Sequence, residues 1–280
     1  MYHRFGEDAY PSTSIKIEQF IQQLDFFSES GFSIWPLPKI IEHLQAKTPI
    51  PDKTIAITID DAYLSVYQIA YPLMHDRKIP FTLFVSSGAV DKGYSSYMSW
   101  DQVKDLAEHG VTLGNHSVNH LHLVNHKEKF SLEVSLSQNR IFEMTGTASK
   151  LFAYPYGEYD LDLAEKIKSL NYVGFGQHSG PRGEDSDFRF LPRFPVSEEY
   201  GDLDELQDKL FSLPMPVSEV RPKSVVTNLT MPMMVVDLKE SVQGKNTLQC
   251  FASGQGAANV RWIEDNRFTV QAKKPITARR

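Results

Sequence analysis

The stretch Thr54-Ile55-Ala56-Ile57-Thr58-Ile59-Asp60-Asp61 decides the fold. Its apolar, β-branched run predicts a strand buried on both faces, and such strands occur mainly in parallel sheets and barrels. Two adjacent carboxylates at its end are costly unless a cation or a reaction uses them. Neighbouring side chains on a regular strand point to opposite faces. For Asp60 and Asp61 to serve one site, the chain must therefore leave strand geometry at about Asp61. In α/β barrels the C-terminal rim of the strands is where chemistry sits. A strand ending in an ordinary turn would show the same residues, since Asp is common in turns. Partners further along the chain decide between the two.

Working outward, Ile17, Phe20, Ile21 and Leu24 recur at the spacing of an amphipathic helix, and Ile40, Ile41 and Leu44 begin a second. Helices are predicted over 64–77, from Ser99-Trp100-Asp101-Gln102 (a capping box) to Gly110, and over 127–144, 161–170 and 203–213. Strand-like segments fall at 1–5, 54–59, 80–85, 111–114, 151–154, 172–176 and 190–194. Strands alternating with amphipathic helices give βα units and a parallel sheet. Seven segments suit a barrel slightly smaller than the eight-stranded kind, with an open doubly wound sheet as the alternative. No glycine-rich nucleotide fingerprint follows any strand.

The texture changes after Leu213. Pro214, Pro216 and Pro222 mark a linker over 214–224, dividing a domain over 1–213 from a small all-β domain over 225–280. There Val225-Val226-Thr227, Met233-Met234-Val235-Val236, Thr247-Leu248-Gln249-Cys250-Phe251 and Phe268-Thr269-Val270 alternate with turn signals, the pattern of a small β-sandwich. That stretch is thin for a complete sandwich and has no stop to its strand pattern near Arg280, as a truncated chain would look.

Composition narrows the function. A chain with 41% hydrophobic and 23% charged residues and net charge -6 has no basic excess to neutralise phosphates, which argues against a nucleic-acid partner. No apolar run could span a bilayer as a helix, and the first residues lack the apolar core of a signal peptide. The single cysteine, Cys250, excludes an internal disulfide; it is either a buried free thiol or pairs beyond residue 280.

Five of the nine histidines lie between His109 and His126. Within them, His116-Ser117-Val118-Asn119-His120 spaces two imidazoles at i and i+4. On one turn of helix both rings would share a face and close on one metal ion. With one carboxylate they make a site with open positions for water and substrate. A polar loop rich in histidine is the plainer reading, but this one follows a strand, as Asp61 does. Tyr154-Pro155-Tyr156-Gly157 is a rigid turn after another strand, placing a backbone N–H and an aromatic wall at the same rim.

In this order and at these intervals, the three elements resemble the NodB-homology polysaccharide deacetylases, carbohydrate esterase family 4, over about residues 1–200. The resemblance is nearest to the poly-N-acetylglucosamine deacetylase branch, which has Tyr-His at the start of the domain, as Tyr2-His3 here. It implies a distorted (β/α)7 barrel, Asp60 as general base, and Asp61, His116 and His120 as metal ligands. The backbone N–H of Tyr156 would help form the oxyanion hole. Two departures stand out. Ala153 occupies the place of the family's base-orienting Arg, and Arg193 is the candidate substitute. The late Leu-x-x-His motif that supplies the general acid is not visible; His3 is preferred for that role, with His178 as the alternative.

The resemblance thus implies a hydrolase that removes N-acetyl groups from a glycan of N-acetylglucosamine type. It would use a divalent metal ion, zinc foremost, with cobalt or nickel as alternatives. Such a substrate places the protein outside the cytoplasm, secreted or periplasmic. An O-acetyl esterase on xylan-like glycans would use the same site. From a different class, the chain could be a carbohydrate-binding protein on an inactive scaffold. Trp100, Tyr154, Tyr156 and Phe175 are candidates to stack on sugar rings, with the core claiming at least two of them.

Overall fold

Hydrophobic periodicity sets the alternation of elements in the computed structural model, which describes residues 1–183, 186–223, 229–252 and 255–276. Two units are present, Met1–Ser212 and Leu213–Arg280. The first opens with β1 (Arg4–Phe5) and β2 (Ser14–Ile15), paired in parallel. Next comes α1 (Ile17–Glu29), which buries Phe20, Leu24 and Phe27 along one face. β3 (Ser33–Ile34), α2 (Leu37–Ala46) and β4 (Thr54–Ile55) lead to β5 (Ile57–Asp60), every residue of which is buried. The strand expected over 54–59 is therefore two. They part at Ala56 because β4 pairs with β3 while β5 pairs with the strand after it.

The helix expected over 64–77 begins as a π-helical turn, Val66–Ala70, before α3 (Tyr71–Asp76). Pro72 lacks an N–H and cannot complete the α ladder; the Tyr71 N–H donates to the Val66 carbonyl across the widened turn. β6 (Phe81–Val85), α4 (Ser87–Asp91), α5 (Trp100–Glu108) and β7 (Thr112–Asn115) follow. Ser99 and Gln102 cap α5 reciprocally, as their spacing predicts. α6 (Phe130–Thr145), β8 (Leu151–Ala153), α7 (Leu161–Ser169), β9 (Val173–Phe175) and α8 (Leu203–Leu210) complete the unit.

A curled parallel sheet runs in the order β5-β6-β7-β8-β9, so all five strands end at one rim. Along β6, Leu83 and Val85 pack with helix residues such as Phe20, Met74 and Val103. Phe84 between them packs with Ala153, Phe175 and Leu191. That alternation is what a sheet covered on both faces requires. Beyond the edges, Tyr2 bridges Ile59 and Leu191 bridges Phe175, both in parallel. The two flanking segments then meet: Val196 N–H donates to the Met1 carbonyl at 3.0 Å, and Met1 N donates to the Phe194 carbonyl at 2.9 Å. The strand expected over 190–194 is reduced to the Leu191 bridge, since Pro192 has no N–H for a ladder.

The second unit is all-β. β10 (Val217–Arg221), β11 (Met233–Leu238), β12 (Phe251–Ala252), β13 (Gly256–Ala257), β14 (Asn259–Glu264) and β15 (Arg267–Gln271) follow in order. They form a four-stranded antiparallel sheet, β10-β11-β15-β14, and a two-stranded hairpin of β12 and β13. Val236, Leu238 and Phe268 make its core, with the half-buried Cys250 packed against them. Three expectations change here. The linker expected over 214–224 contains β10, because its prolines flank the Val217–Arg221 run rather than interrupt it. The strand expected over 247–251 begins only at Phe251, after a 3-10 turn at Lys245–Thr247. The strand expected at 225–227 lies outside the described residues. Among the described residues, no helix is long and apolar enough to cross a membrane.

Candidate active site

β5 delivers its last residue, Asp60, fully buried, and the chain then turns abruptly: Asp61 and Ala62 have φ of 79° and 62°. Two consecutive left-handed residues without glycine are strained, at about 1–2 kcal/mol each. The turn departs from strand geometry at Asp61, where service to one rim demands it. Asp61 N–H donates to the Phe84 carbonyl at 3.0 Å, and Ser86 Oγ approaches the Asp61 carboxylate at 3.5 Å.

Asp60 meets Arg193 in a two-pronged contact: Nη1 to Oδ1 at 2.7 Å and Nη2 to Oδ2 at 2.8 Å. Two of its other donors are used as well. Nε donates to the Gly176 carbonyl at 2.8 Å, and Nη1 also reaches Thr58 Oγ1 at 3.3 Å. Burial alone would push the Asp60 carboxyl up. The Arg193 charge and its hydrogen bonds, with His116 and His3 nearby, outweigh burial and hold it well below the usual carboxylate range. Ala153, at the position where the resemblance calls for an arginine, instead lends its carbonyl to His116.

His116 is the first residue past β7. Its Nδ1 donates to the Ala153 carbonyl at 2.7 Å, which fixes the tautomer and leaves Nε2 with a lone pair facing Asp61 Oδ1 at 3.4 Å. Burial drives the ring's pKa down to about 4, so it is neutral at neutral pH. That buried Nε2 finds no hydrogen-bond partner among the described residues. Leaving such an atom unpaired costs about 1–3 kcal/mol unless a cation takes it up. His120 Nε2 lies 3.4 Å from the same Asp61 oxygen, and the three donor atoms all lie within 4.8 Å of one another. Tetrahedral zinc with bonds near 2.0–2.1 Å separates its ligand atoms by about 3.4 Å, so carboxylate, Nε2 and Nε2 fit a divalent ion.

The histidines do not converge on a helical turn, as their i, i+4 spacing predicts. Residues 116–120 form a loop in which Ser117 and His120 adopt φ of 63° and 50°. Ser117 N–H donates to Asn115 Oδ1 at 2.9 Å, and His120 N–H to Ser117 Oγ at 3.1 Å. Helix geometry fails because these local side-chain bonds, together with contacts to α4 and α6, compete for the backbone.

Tyr156 sits in the 3-10 turn Pro155–Gly157 with φ 58°. Its N–H meets no hydrogen-bond acceptor among the described residues. Gly157 is required here, since a Cβ would come within 2.6 Å of the Gln177 nitrogen. The Tyr156 ring is 47% exposed and stands edge-on to His120 at 4.4 Å, with the His122 ring flat against it at 3.9 Å. His122 in turn pairs with Glu158 at 2.9 Å.

The two candidate acids differ in surroundings. His3, half-buried beside the Tyr2 bridge, has its pKa lowered by burial and feels the charges of Asp60, Asp61 and Arg193. His178 is also lowered by burial; the charge it feels is that of Arg193, and its ring packs on Tyr159 at 5.8 Å. Of the aromatic candidates, Trp100, Tyr154 and Phe175 are core residues, and only Tyr156 is open to solvent. Sequence reading missed Ser86, Asn115, His122 and Glu133. It also missed Tyr63 and Tyr97, whose rings meet at 4.7 Å and whose phenols feel Asp61.

Comparison with known proteins adds to this geometry. Residues 47–175 match the family model for polysaccharide deacetylase. The chain is 24% identical over 200 residues to the putative polysaccharide deacetylase YxkH of Bacillus subtilis, covering 70% of each. It is 23% identical over 203 residues to the poly-beta-1,6-N-acetyl-D-glucosamine N-deacetylase of Staphylococcus aureus, covering 66% of this chain and 69% of that one. Among solved structures, the Streptococcus pyogenes deacetylase PplD in complex with acetate superposes with TM-score 0.69 at 21% identity, over 76% of this chain and 96% of that one. IcaB from Ammonifex degensii superposes with TM-score 0.64 at 25% identity, over 75% and 95%.

Proposed function

Since the chain carries a polysaccharide deacetylase domain, we propose that it removes N-acetyl groups from a polysaccharide or oligosaccharide of N-acetylglucosamine type with the help of a divalent metal ion. The observation that carries this reading is the Asp61–His116–His120 cluster immediately beside the buried Asp60–Arg193 pair. The ring formed by the five-stranded sheet, the Tyr2 and Leu191 bridges and the bonds between their segments is read as a distorted (β/α)7 barrel. The name of the Staphylococcus aureus relative supports the amino-sugar substrate.

When bound by Asp61, His116 and His120, zinc, cobalt or nickel would supply Lewis acidity toward the acetyl carbonyl and lower the pKa of a water. Asp60, held ionised and oriented by Arg193, accepts the proton of the attacking water; each carboxylate oxygen keeps a lone pair beyond its arginine contact. The Tyr156 N–H donates to the tetrahedral oxyanion, a contact whose loss typically costs about 10²–10³ in rate. His3 protonates the departing amine. Its lowered pKa makes it the stronger acid, while the two carboxylates favour its charged form. A polymeric glycan places the enzyme outside the cytoplasm, secreted or periplasmic.

The test is acetate release from N-acetylglucosamine oligomers and from acetylated xylan. It uses metal-stripped protein with zinc, cobalt or nickel restored, beside Asp60→Asn. The expected result is metal-dependent release from the amino sugar that Asp60→Asn abolishes. Release from xylan alone would make the protein an O-acetyl esterase. Release from neither, with metal bound, would leave a carbohydrate-binding protein.

A further inference from the structure

The charge of Glu133 lies on the buried face of α6, only 6% exposed, between Phe130 and Val134. Its three donors all belong to the loop between the two histidines. Val118 N–H and Asn119 N–H donate to Oε2 at 3.0 and 2.8 Å, and Asn119 Nδ2 donates to Oε1 at 2.7 Å. One residue on, the Val134 carbonyl accepts from Asn115 Nδ2 at 2.8 Å, and Asn115 Oδ1 accepts from Ser117 N–H. A single turn of α6 thus grips both ends of the loop.

The other side of the loop is equally fixed. Ser87 N–H and Gly88 N–H donate to the carbonyls of Ser117 and Val118 at 3.2 and 3.0 Å. A Cβ on Gly88 would stand 2.6 Å from the Val118 oxygen, so α4 approaches as closely as a backbone can. His116 has its own anchors, Val85 through its N–H and Ala153 through its ring. His120 is tied to the rest of the loop through Ser117 Oγ. The position of His120 over Asp61 therefore depends on where Val118 and Asn119 are held.

We propose that Glu133 is a positioning residue for the metal site, acting through His120 by clamping residues 118–119 to α6. The proposal rests on the reading of Asp61, His116 and His120 as metal ligands. Groups that orient metal ligands are commonly worth ~10–100-fold in affinity, and a clamp acting through one ligand gives a distinct pattern: its effect disappears when that ligand is gone.

The experiment measures zinc affinity by chelator competition for the wild-type chain, Glu133→Ala, His120→Ala and the double variant. Thermal unfolding of the metal-free proteins is measured alongside. The expected result is roughly a 10–100-fold loss in Glu133→Ala, with the double variant binding no more weakly than His120→Ala alone. Unchanged zinc affinity in Glu133→Ala, or a loss that adds in full to that of His120→Ala, overturns the clamp and leaves Glu133 a structural residue. Should Glu133→Ala fail to fold, Asn119→Ala removes only the Nδ2 contact. Weaker zinc binding there supports the clamp, and unchanged binding overturns it. A wild-type chain that binds neither zinc, cobalt nor nickel overturns the metal-site reading itself, and the clamp with it.

Discussion

Arg193 and Asp60 meet in the interior, 133 positions apart, through two nearly equal contacts of 2.7 and 2.8 Å. Removing one member of such a pair leaves an uncompensated charge in the interior, which typically costs about 3–5 kcal/mol. Arg193→Ala is expected to lose stability on that scale in urea unfolding and to lose activity with it. Arg193→Lys keeps the charge but not the fork; it should retain more stability than Arg193→Ala while kcat still falls at least tenfold. A loss below about 1 kcal/mol in Arg193→Ala would mean that solvent reaches Asp60.

Ala62 is fully buried at φ 62°, directly after Asp61 at 79°. Glycine accepts that conformation without the Cβ strain, at some cost in unfolded-state entropy. Ala62→Gly is expected to stabilise the chain by about 0.5–1 kcal/mol, read as a rise in Tm. A fall in Tm would show that the Cβ packing at this turn outweighs the strain.

The neutral, buried His116 makes stability depend on pH in the metal-free protein. Its folded-state pKa is about 4, against about 6.5 in an unfolded chain. As pH falls from about 6.5 toward 4, the unfolded chain takes up a proton that the folded one refuses, and stability declines across that window. The loss should approach about 3 kcal/mol at pH 4. Urea unfolding at pH 7 and pH 4, compared with His116→Gln, reads it; equal pH slopes in the two proteins would remove His116 as the cause.

The Tyr156 ring and its N–H are expected to separate kinetically. Tyr156→Ala keeps the N–H and removes an exposed ring, so KM should rise while kcat stays within about tenfold. Loss of an oxyanion donor would instead cost ~10²–10³ in kcat. If kcat drops a hundredfold and KM is unchanged, the ring rather than the backbone is the group that matters.

Much of the site was legible because its residues cluster in short motifs at strand ends: Asp60 with Asp61, His116 with His120, and Tyr156 in its turn. Each motif announces both a side chain and its place at the rim. Arg193 was legible only as a substitute for a missing arginine, since nothing in residues 190–194 points to a partner 133 positions earlier. The shape of the histidine loop was not legible. Spacing of i and i+4 permits a helical turn, and only contacts from α4 and α6 impose the left-handed residues found there. Glu133 left a faint signal, a charge at helical spacing on the face that carries Phe130, Val134 and Ile141, which a surface position would not require. In the second unit, prolines obscured β10, because their positions just outside the strand look in sequence like breaks within it.

The hydrogen bonds joining residues 194 and 196 to Met1 have a consequence for biosynthesis. Asp60 leaves the ribosome 133 residues ahead of Arg193, so a nascent chain that has not reached Arg193 lacks the partner that neutralises the Asp60 carboxylate. A nick in the connection between Phe175 and Leu191 would likewise place Asp60 and Arg193 on separate fragments. Recovery of the Met1–Phe194 and Met1–Val196 pairing on mixing them would report that the ends of the unit had found each other.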